Sequence, residues 1–133
     1  MYSERLIALF RSAKHAGTLE DATHRGEAGT PGRGPYMRLW LRIEQEVVVA
    51  ARFKTQGCPA AIACGEALCE MAEGQAAEQV DGLTAADLAA YLGGAPEGKE
   101  HCPALAMEAW RNARLGGTAA ARVTSPAGPP APG

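Results

Sequence analysis

The segment MRLWLRIE, residues 37–44, alternates apolar and polar side chains with a period of two. This alternation predicts a β-strand with one face in a core and the other toward solvent. The apolar set is Met37, Leu39, Leu41 and Ile43, and the alternate set is Arg38, Trp40, Arg42 and Glu44. A β-branched run, VVVAARFKT, follows a short polar connection around Gln45 and Glu46, so the two segments predict an antiparallel hairpin. The connection contains no glycine, which leaves the turn type open.

Four other segments carry helical patterns. Ser3 can cap the first of them, and Gly74 suits the end of the second. Thr84, with Asp87 three positions later, forms a variant of the capping box at the start of the third. The sequence therefore predicts helices over residues 3–15, 59–73, 84–93 and 103–115.

These elements together predict an α+β fold, in which helices cover a small antiparallel sheet. The sheet holds the hairpin and has room for a third strand within residues 16–35, a stretch whose Gly, Thr and Pro content otherwise indicates a loop. One domain is predicted over residues 1–115. Residues 116–133 are rich in Ala, Gly and Pro and are predicted to form a disordered tail, because such residues cannot build a packed core.

Charge and hydropathy exclude several classes of function. The chain has 13 Lys and Arg against 15 Asp and Glu, so a surface that binds nucleic acid through phosphate neutralisation is not expected. No apolar run reaches the roughly 18 residues of a membrane helix, and the amino-terminal segment carries charges unlike those of a secretory signal. We therefore expect a cytoplasmic protein. Its four cysteines should be metal-binding, reactive or buried rather than disulfide-bonded, and the absence of a CxxC spacing excludes a zinc ribbon or bacterial ferredoxin pattern.

Two cysteines each precede a proline at the start of a predicted helix, as Cys58-Pro59 and Cys102-Pro103. Proline is favoured at the first helical position, so both thiols are predicted at N-caps, where the helix dipole favours the thiolate. His101 adds an imidazole beside the second thiol. If the two helix starts face each other, three soft ligands converge. The alternative is that each cysteine fills a small space in the core and that His101 is solvated.

The two remaining cysteines are weaker candidates for the site. Cys69 falls on an apolar helical face with Leu68 and Ala72, which favours core packing. Cys64 lies six residues beyond Cys58, or about 9 Å along a helix axis. Sharing one metal ion between Cys64 and Cys58 would require the helix to begin late or to be distorted.

The chain resembles the IscU/NifU-type iron-sulfur cluster assembly scaffolds from its first helix to about Leu115. The resemblance lies in AGTLEDATHRGEAGTPGRGPYMRL, RFKTQGCPAAIAC, GLTAADLA and EHCPALAMEAW. It implies an IscU/NifU-N-like fold, in which three cysteines, an aspartate and a histidine at one exposed end hold a nascent cluster or a zinc ion. Cys58 matches the second of those cysteines, Cys102 the third, and His101 the histidine. The resemblance further implies that Cys102 accepts sulfur, as a persulfide, from a cysteine desulfurase.

The chain departs from this family at two ligand positions. Arg33 stands at the first cysteine and Pro35 at the aspartate. A guanidinium cannot bind a cation; it would repel a metal ion and stabilise thiolate or persulfide anions, unless Arg33 simply lies in solvent on its loop. Cys58, His101 and Cys102 leave an open fourth position for water, or for a thiol of a partner or second chain. Residues 95–100 keep one proline and the lysine of the family's chaperone-recognition segment, which argues against a dedicated chaperone.

The resemblance predicts a scaffold that binds iron or a labile iron-sulfur cluster, with zinc as another ion that fits, and that accepts sulfur at Cys102. Such a protein is a carrier and not an enzyme. Its partners would be a cysteine desulfurase, a source of iron and electrons, and apoproteins that receive the cluster. A second hypothesis is a degenerate adaptor or regulator of a cysteine desulfurase that holds no cluster. A third, an enzyme that uses Cys102 with a histidine base, is disfavoured because adjacent residues rarely orient their side chains for that pairing.

Overall fold

The structure, a computed structural model, describes residues 3–30, 32–56, 59–94, 99 and 101–116. Within them the chain forms an antiparallel three-stranded sheet of order β1-β2-β3 and a set of helices. The elements in chain order are α1 (Glu4–Ser12), β1 (His24–Gly29), β2 (Tyr36–Glu44), β3 (Val47–Gln56), α2 (Pro59–Ala72), α3 (Ala77–Asp81), α4 (Ala85–Tyr91) and α5 (His101–Gly116). The predicted α+β class and the hairpin are confirmed, and β1 is the third strand.

The hairpin turn between β2 and β3 has two residues. Glu44 pairs with Val47, and the intervening Gln45 and Glu46 have φ values of 52° and 69°. Two successive residues with positive φ match the type I′ turn, whose backbone twist fits that of the flanking strands. The turn forms although neither residue is glycine, which is why the sequence left its type open.

One face of the sheet carries the core. Met37, Leu39 and Leu41 of β2 are fully buried, as the alternation predicts; α5 packs on β1 and β2, and α2 packs on β3. Trp40 points to the opposite face but is only 7% exposed. The guanidinium carbon of Arg38 lies 5.8 Å from the centroid of its ring, a cation-π distance, so a neighbouring charged side chain covers an aromatic ring that the pattern placed toward solvent.

Two glycines allow helices to pack directly on the sheet. A Cβ atom on Gly26 of β1 would lie 2.2 Å from the backbone nitrogen of Ala113 in α5. On Gly65 of α2 it would lie 2.4 Å from a ring carbon of Phe53 in β3. The absence of a side chain at these positions therefore sets how closely α5 and α2 approach the strands.

The helix starts agree with the sequence in two cases and differ in a third. The Ser3 hydroxyl accepts a hydrogen bond from the Leu6 N–H, and Thr84 and Asp87 form a complete capping box. Helix α5 begins at His101, two residues before the predicted start. Cys102 therefore lies in the first turn and not at the N-cap. The short helix α3 was not predicted, and its N-cap residue makes no side-chain hydrogen bond that could have marked it.

The predicted tail begins at the end of α5. Its residues 117–133 lie outside the described residues, so their disorder, and with it the domain boundary near residue 115, stays a prediction. No described helix is long and apolar enough to cross a membrane.

Candidate functional site

Two of the three predicted ligands lie together at the start of α5. Cys102 is 1% exposed, whereas His101 is exposed. The His101 Nε2 atom is 3.7 Å from the Cys102 Sγ atom, and the Cys102 N–H donates to the Lys99 carbonyl at 3.0 Å. Contrary to the expectation for adjacent residues, the two side chains are thus in contact. The third predicted ligand, Cys58, lies outside the described residues, and its role stays a prediction.

A cavity of about 330 Å³ adjoins this pair. It forms where the loop before β2, the end of β3, the first turn of α2 and the start of α5 meet. The described residues that line it are Gly34, Pro35, Gln56, Ala61, Lys99, His101 and Cys102. Pro35, which stands at the aspartate position of the resembling family, lies on the wall, and none of these lining residues is a carboxylate. The described lining therefore offers a thiol, an imidazole and the amide of Gln56, but no carboxylate.

Arg33 occupies the turn ahead of β2. It is exposed, its N–H donates to the Thr30 carbonyl at 3.0 Å, and the flanking Gly32 and Gly34 have φ values of 80° and 94°. The left-handed backbone at both glycines gives the chain a tight turn between Thr30 and Pro35. Arg33 is not among the described residues that line the cavity.

The other two described cysteines are buried within α2. Cys69 is fully buried in the core cluster, which confirms its predicted packing role. Burial raises the pKa of the Cys69 thiol well above its ordinary value, and the nearby Glu66 and Glu73 carboxylates raise it further. Cys64 is 1% exposed and is not one of the described residues that line the cavity. Neither Cys64 nor Cys69 is among the described residues that line the cavity beside Cys102.

A partly buried ionic network joins α2 to His15 and to Arg52 of β3, and sequence reasoning missed it. Glu66 is fully buried, and its carboxylate accepts from the His15 backbone N–H at 2.9 Å and contacts His15 Nδ1 at 2.6 Å. His15 Nε2 lies 2.9 Å from Glu73, which also accepts from Arg52 at 3.0 Å. The signal that could have revealed the network is the seven-residue spacing of Glu66 and Glu73, which places two carboxylates on one face of an apolar helix.

The atoms of this network could in principle hold a metal ion. Ligand atoms of His15, Glu66 and Glu70 lie within 4.8 Å of one another. However, each ring nitrogen of His15 faces a carboxylate, an arrangement that favours a proton on both nitrogens, and an imidazolium cannot bind a metal. Burial alone would lower the pKa of His15, but hydrogen bonds and charges from Glu66 and Glu73 outweigh it and raise that pKa. Glu70 accepts a separate hydrogen bond from the Tyr91 hydroxyl at 2.9 Å. We therefore interpret the network as a buried ion pair.

The network should make the free energy of unfolding depend on pH in both directions. Because the folded pKa of His15 is raised, its contribution is complete below its ordinary value of 6.5 and is lost as pH rises through the folded value. The pKa of Glu73 is lowered: burial opposes the shift, and bonds from His15, Ala51 and Arg52 outweigh it. Its contribution is therefore complete above its ordinary value of 4.5 and is lost as pH falls through the folded value. Urea unfolding should show the full contribution of the network between these two ordinary values.

A His15→Gln variant separates this effect from other titrations. The pKa of His24 is lowered by burial and by Arg114, so His24 adds stability as pH rises through its ordinary range and opposes His15. The difference in unfolding free energy between the parent and His15→Gln should shrink as the solution becomes alkaline. A difference that does not change with pH would contradict the assignment of a raised pKa to His15.

Comparison with known proteins identifies relatives over most of the chain. Residues 1–115 match the family model described as the NifU-like N terminal domain. The chain is 35% identical over 113 residues to the iron-sulfur cluster assembly scaffold protein IscU 1 of Archaeoglobus fulgidus, a match that covers 85% of this chain and 74% of the relative. It is 37% identical over 109 residues to the scaffold protein IscU of Aquifex aeolicus, which covers 80% of this chain and 69% of that protein.

A solved structure supports the fold assignment. The crystal structure of a candidate iron-sulfur cluster assembly scaffold protein for the SUF system, from Fervidobacterium islandicum, superimposes with a TM-score of 0.62. The match covers 86% of this chain and 95% of that chain at 17% sequence identity. At that identity, the likeness shows a shared fold.

Proposed function

Since the chain belongs to the NifU-like N-terminal domain family, we propose that it is a scaffold on which iron-sulfur clusters are assembled, with Cys102 as the acceptor of sulfur. Its relatives carry the name of scaffold proteins, and like them it is not an enzyme. The observation that carries the proposal is the contact of the Cys102 thiol with His101 at the wall of a 330 Å³ cavity. We place the protein in the cytoplasm, as the sequence predicts.

The position of Cys102 suits a sulfur nucleophile. It lies in the first turn of a 16-residue helix, whose dipole favours a negative charge on the sulfur, and the His101 Nε2 atom is 3.7 Å from that sulfur. In the transfer step the Cys102 thiolate attacks the outer sulfur of a persulfide on a cysteine desulfurase. A new S–S bond forms on Cys102, the S–S bond of the donor breaks, and the donor cysteine leaves as a thiolate. Sulfur moves without net oxidation or reduction.

Iron, or a labile cluster, is the cargo that the donor set fits. We propose Cys58, His101 and Cys102 as its ligands. Cys58 follows the cavity-lining Gln56 by two residues and precedes Ala61, which also lines the cavity, by three. Three ligands without a carboxylate leave the fourth position to water or to a thiol from another chain, which favours release to an apoprotein over long-term storage. The same three ligands also fit zinc.

Sulfur transfer to Cys102 tests the proposal directly. The purified chain is incubated with its cognate cysteine desulfurase and L-cysteine, and intact mass is measured without reductant. We expect the parent protein to gain the mass of sulfur and Cys102→Ser not to gain it. Cys58→Ser is the control and should still be loaded. Equal loading of Cys102→Ser and the parent would overturn the assignment.

The second candidate function is an adaptor of a cysteine desulfurase that holds no cluster. It is favoured by the replacement of two family ligands by Arg33 and Pro35 and by the lack of a carboxylate among the described lining residues. Anaerobic reconstitution with iron and sulfide separates the two functions. A coloured, iron-containing product supports the scaffold, whereas a colourless product that still binds the desulfurase supports the adaptor.

A further inference from the structure

The outer edge of β3 is hydrogen-bonded at Phe53 but not at Thr55, within the described residues. The Phe53 N–H donates to the His15 carbonyl at 3.1 Å, and the Phe53 carbonyl accepts from the Gly17 N–H at 2.8 Å. The backbone groups of Thr55 point to the same side as those of Phe53, because the pattern of an antiparallel strand repeats every two residues. No residue in the described part of the chain pairs with the N–H or carbonyl of Thr55 on that side. The edge therefore has room for one more strand segment beside Thr55.

An apolar groove of about 630 Å³ lies next to this open edge. Phe10 and Ala13 of α1 form one wall, Ile62 of α2 another, and Tyr36 and Phe53 extend it along the sheet. Phe10 is 36% exposed although its ring is large and apolar. We refer to the groove lined by Phe10, Ala13, Ala16, Gly17, Tyr36, Phe53, Lys54, Thr55, Gln56 and Ile62 as the β3-edge groove. An open strand edge beside an apolar groove is the combination that binds extended peptides.

Among the described residues that line the β3-edge groove, Lys54 is the only charged one. Glu27, which lies near Tyr36, is paired with Arg38. Arg11 and Lys14 are exposed and directly follow the lining residues Phe10 and Ala13 in the chain. This distribution complements a segment that carries acidic residues and disfavours a basic one.

The β3-edge groove and the cavity beside Cys102 are neighbours that share one lining residue. Gln56 lines both, as the last residue of β3. A segment bound along the groove as far as Gln56 would therefore lie beside the cavity.

We propose that the β3-edge groove binds an extended, acidic peptide segment of a partner protein. The segment adds a strand beside Thr55, places an apolar side chain between Phe10 and Ile62, and sets acidic side chains opposite Lys54. The partner is thereby held next to the Cys102 cavity. This docking does not depend on sulfur transfer to Cys102, so it stands or falls separately from the proposed function.

A displayed library of random linear peptides, selected on the full chain, tests this docking. We expect enrichment of peptides that combine a large apolar residue with acidic residues. Phe10→Glu and Lys54→Glu should each weaken binding of the selected peptides by about tenfold or more. Ile7→Glu is the matched control, because Ile7 lies on α1 with 37% exposure and does not line the groove. Hydrogen exchange at the Thr55 amide should slow when the peptide is bound.

Several results would overturn the proposal. These are the absence of enrichment over beads without protein, equal binding to Phe10→Glu and the parent, and unchanged exchange at Thr55 with a bound peptide. Sedimentation that shows a dimer converted to a monomer by Phe10→Glu would assign the groove to a second copy of the chain. A variant ending at Gly116 that binds the peptides about tenfold more tightly would assign it to residues 117–133.

Discussion

Replacing Gly26 with alanine is expected to destabilise the fold by about 3 kcal/mol, because the added methyl group would meet the backbone of α5. The new Cβ would lie 2.2 Å from the Ala113 nitrogen and 2.6 Å from its Cα atom. Neither strand nor helix backbone can rotate away as a side chain would, so β1 and α5 must separate. The φ angle of Gly26 lies outside the left-handed region, so the loss reflects this contact alone. The midpoint of urea unfolding measures it.

Gly82→Ala is the matched control for this change. Gly82 ends α3 with φ of −82°, and the nearest atom to an added Cβ is 3.6 Å away. The free energy of unfolding should change by no more than about 0.5 kcal/mol. Equal unfolding midpoints for Gly26→Ala and Gly82→Ala would show that α5 does not rest on the backbone of β1.

Glu66→Ala is expected to be similarly destabilising, by about 3 kcal/mol or more, because it removes the partner of a buried cation. The His15 backbone N–H and Nδ1 both face the Glu66 carboxylate, and His15 is only 8% exposed. Without that carboxylate, His15 must remain unpaired or lose its proton inside the protein. Thermal and urea unfolding at about pH 6, below the ordinary pKa of histidine, would measure the full loss.

Two further variants define the origin of this loss. Glu66→Gln keeps an acceptor for the His15 N–H but removes the charge, so its destabilisation should be smaller than that of Glu66→Ala. Glu78→Ala, at an exposed position of α3, should leave stability within about 0.5 kcal/mol of the parent. A loss for Glu66→Ala no larger than that for Glu78→Ala would refute the buried ion pair.

The sequence predicts those parts of the fold whose signals are local. The alternation of MRLWLRIE defines β2, and the hydroxyl of Ser3 and the pair Thr84 and Asp87 mark helix starts through bonds spanning three residues. Strand β1 gives no such signal. Its sequence HRGEAG has neither β-branched residues nor a clear apolar face, and it becomes a strand by pairing with β2 along its whole length.

The candidate site was predictable only where its signals are also local. The sequence segments around Cys58 and Cys102 contain cysteine and histidine, residue types that bind soft metals. The structure adds the contact between Cys102 and His101. The spacing of Glu66 and Glu73 marks two members of the ionic network, but it cannot identify His15 as their partner, because His15 and Glu66 are 51 residues apart. Only the fold brings a loop histidine against the middle of α2.

The packing of α5 on β1 has a mechanical consequence for Cys102. Ala113, which rests on Gly26, lies eleven residues along the same helix, or about 16 Å from Cys102 at the rise of an α-helix. The helix acts as a lever, and a tilt of about 4° around the Gly26 contact would displace the sulfur by roughly 1 Å, a shift large enough to slow a reaction that needs close alignment. Gly26, which has no reactive side chain, thus helps to fix the position of the proposed sulfur acceptor at the other end of the helix.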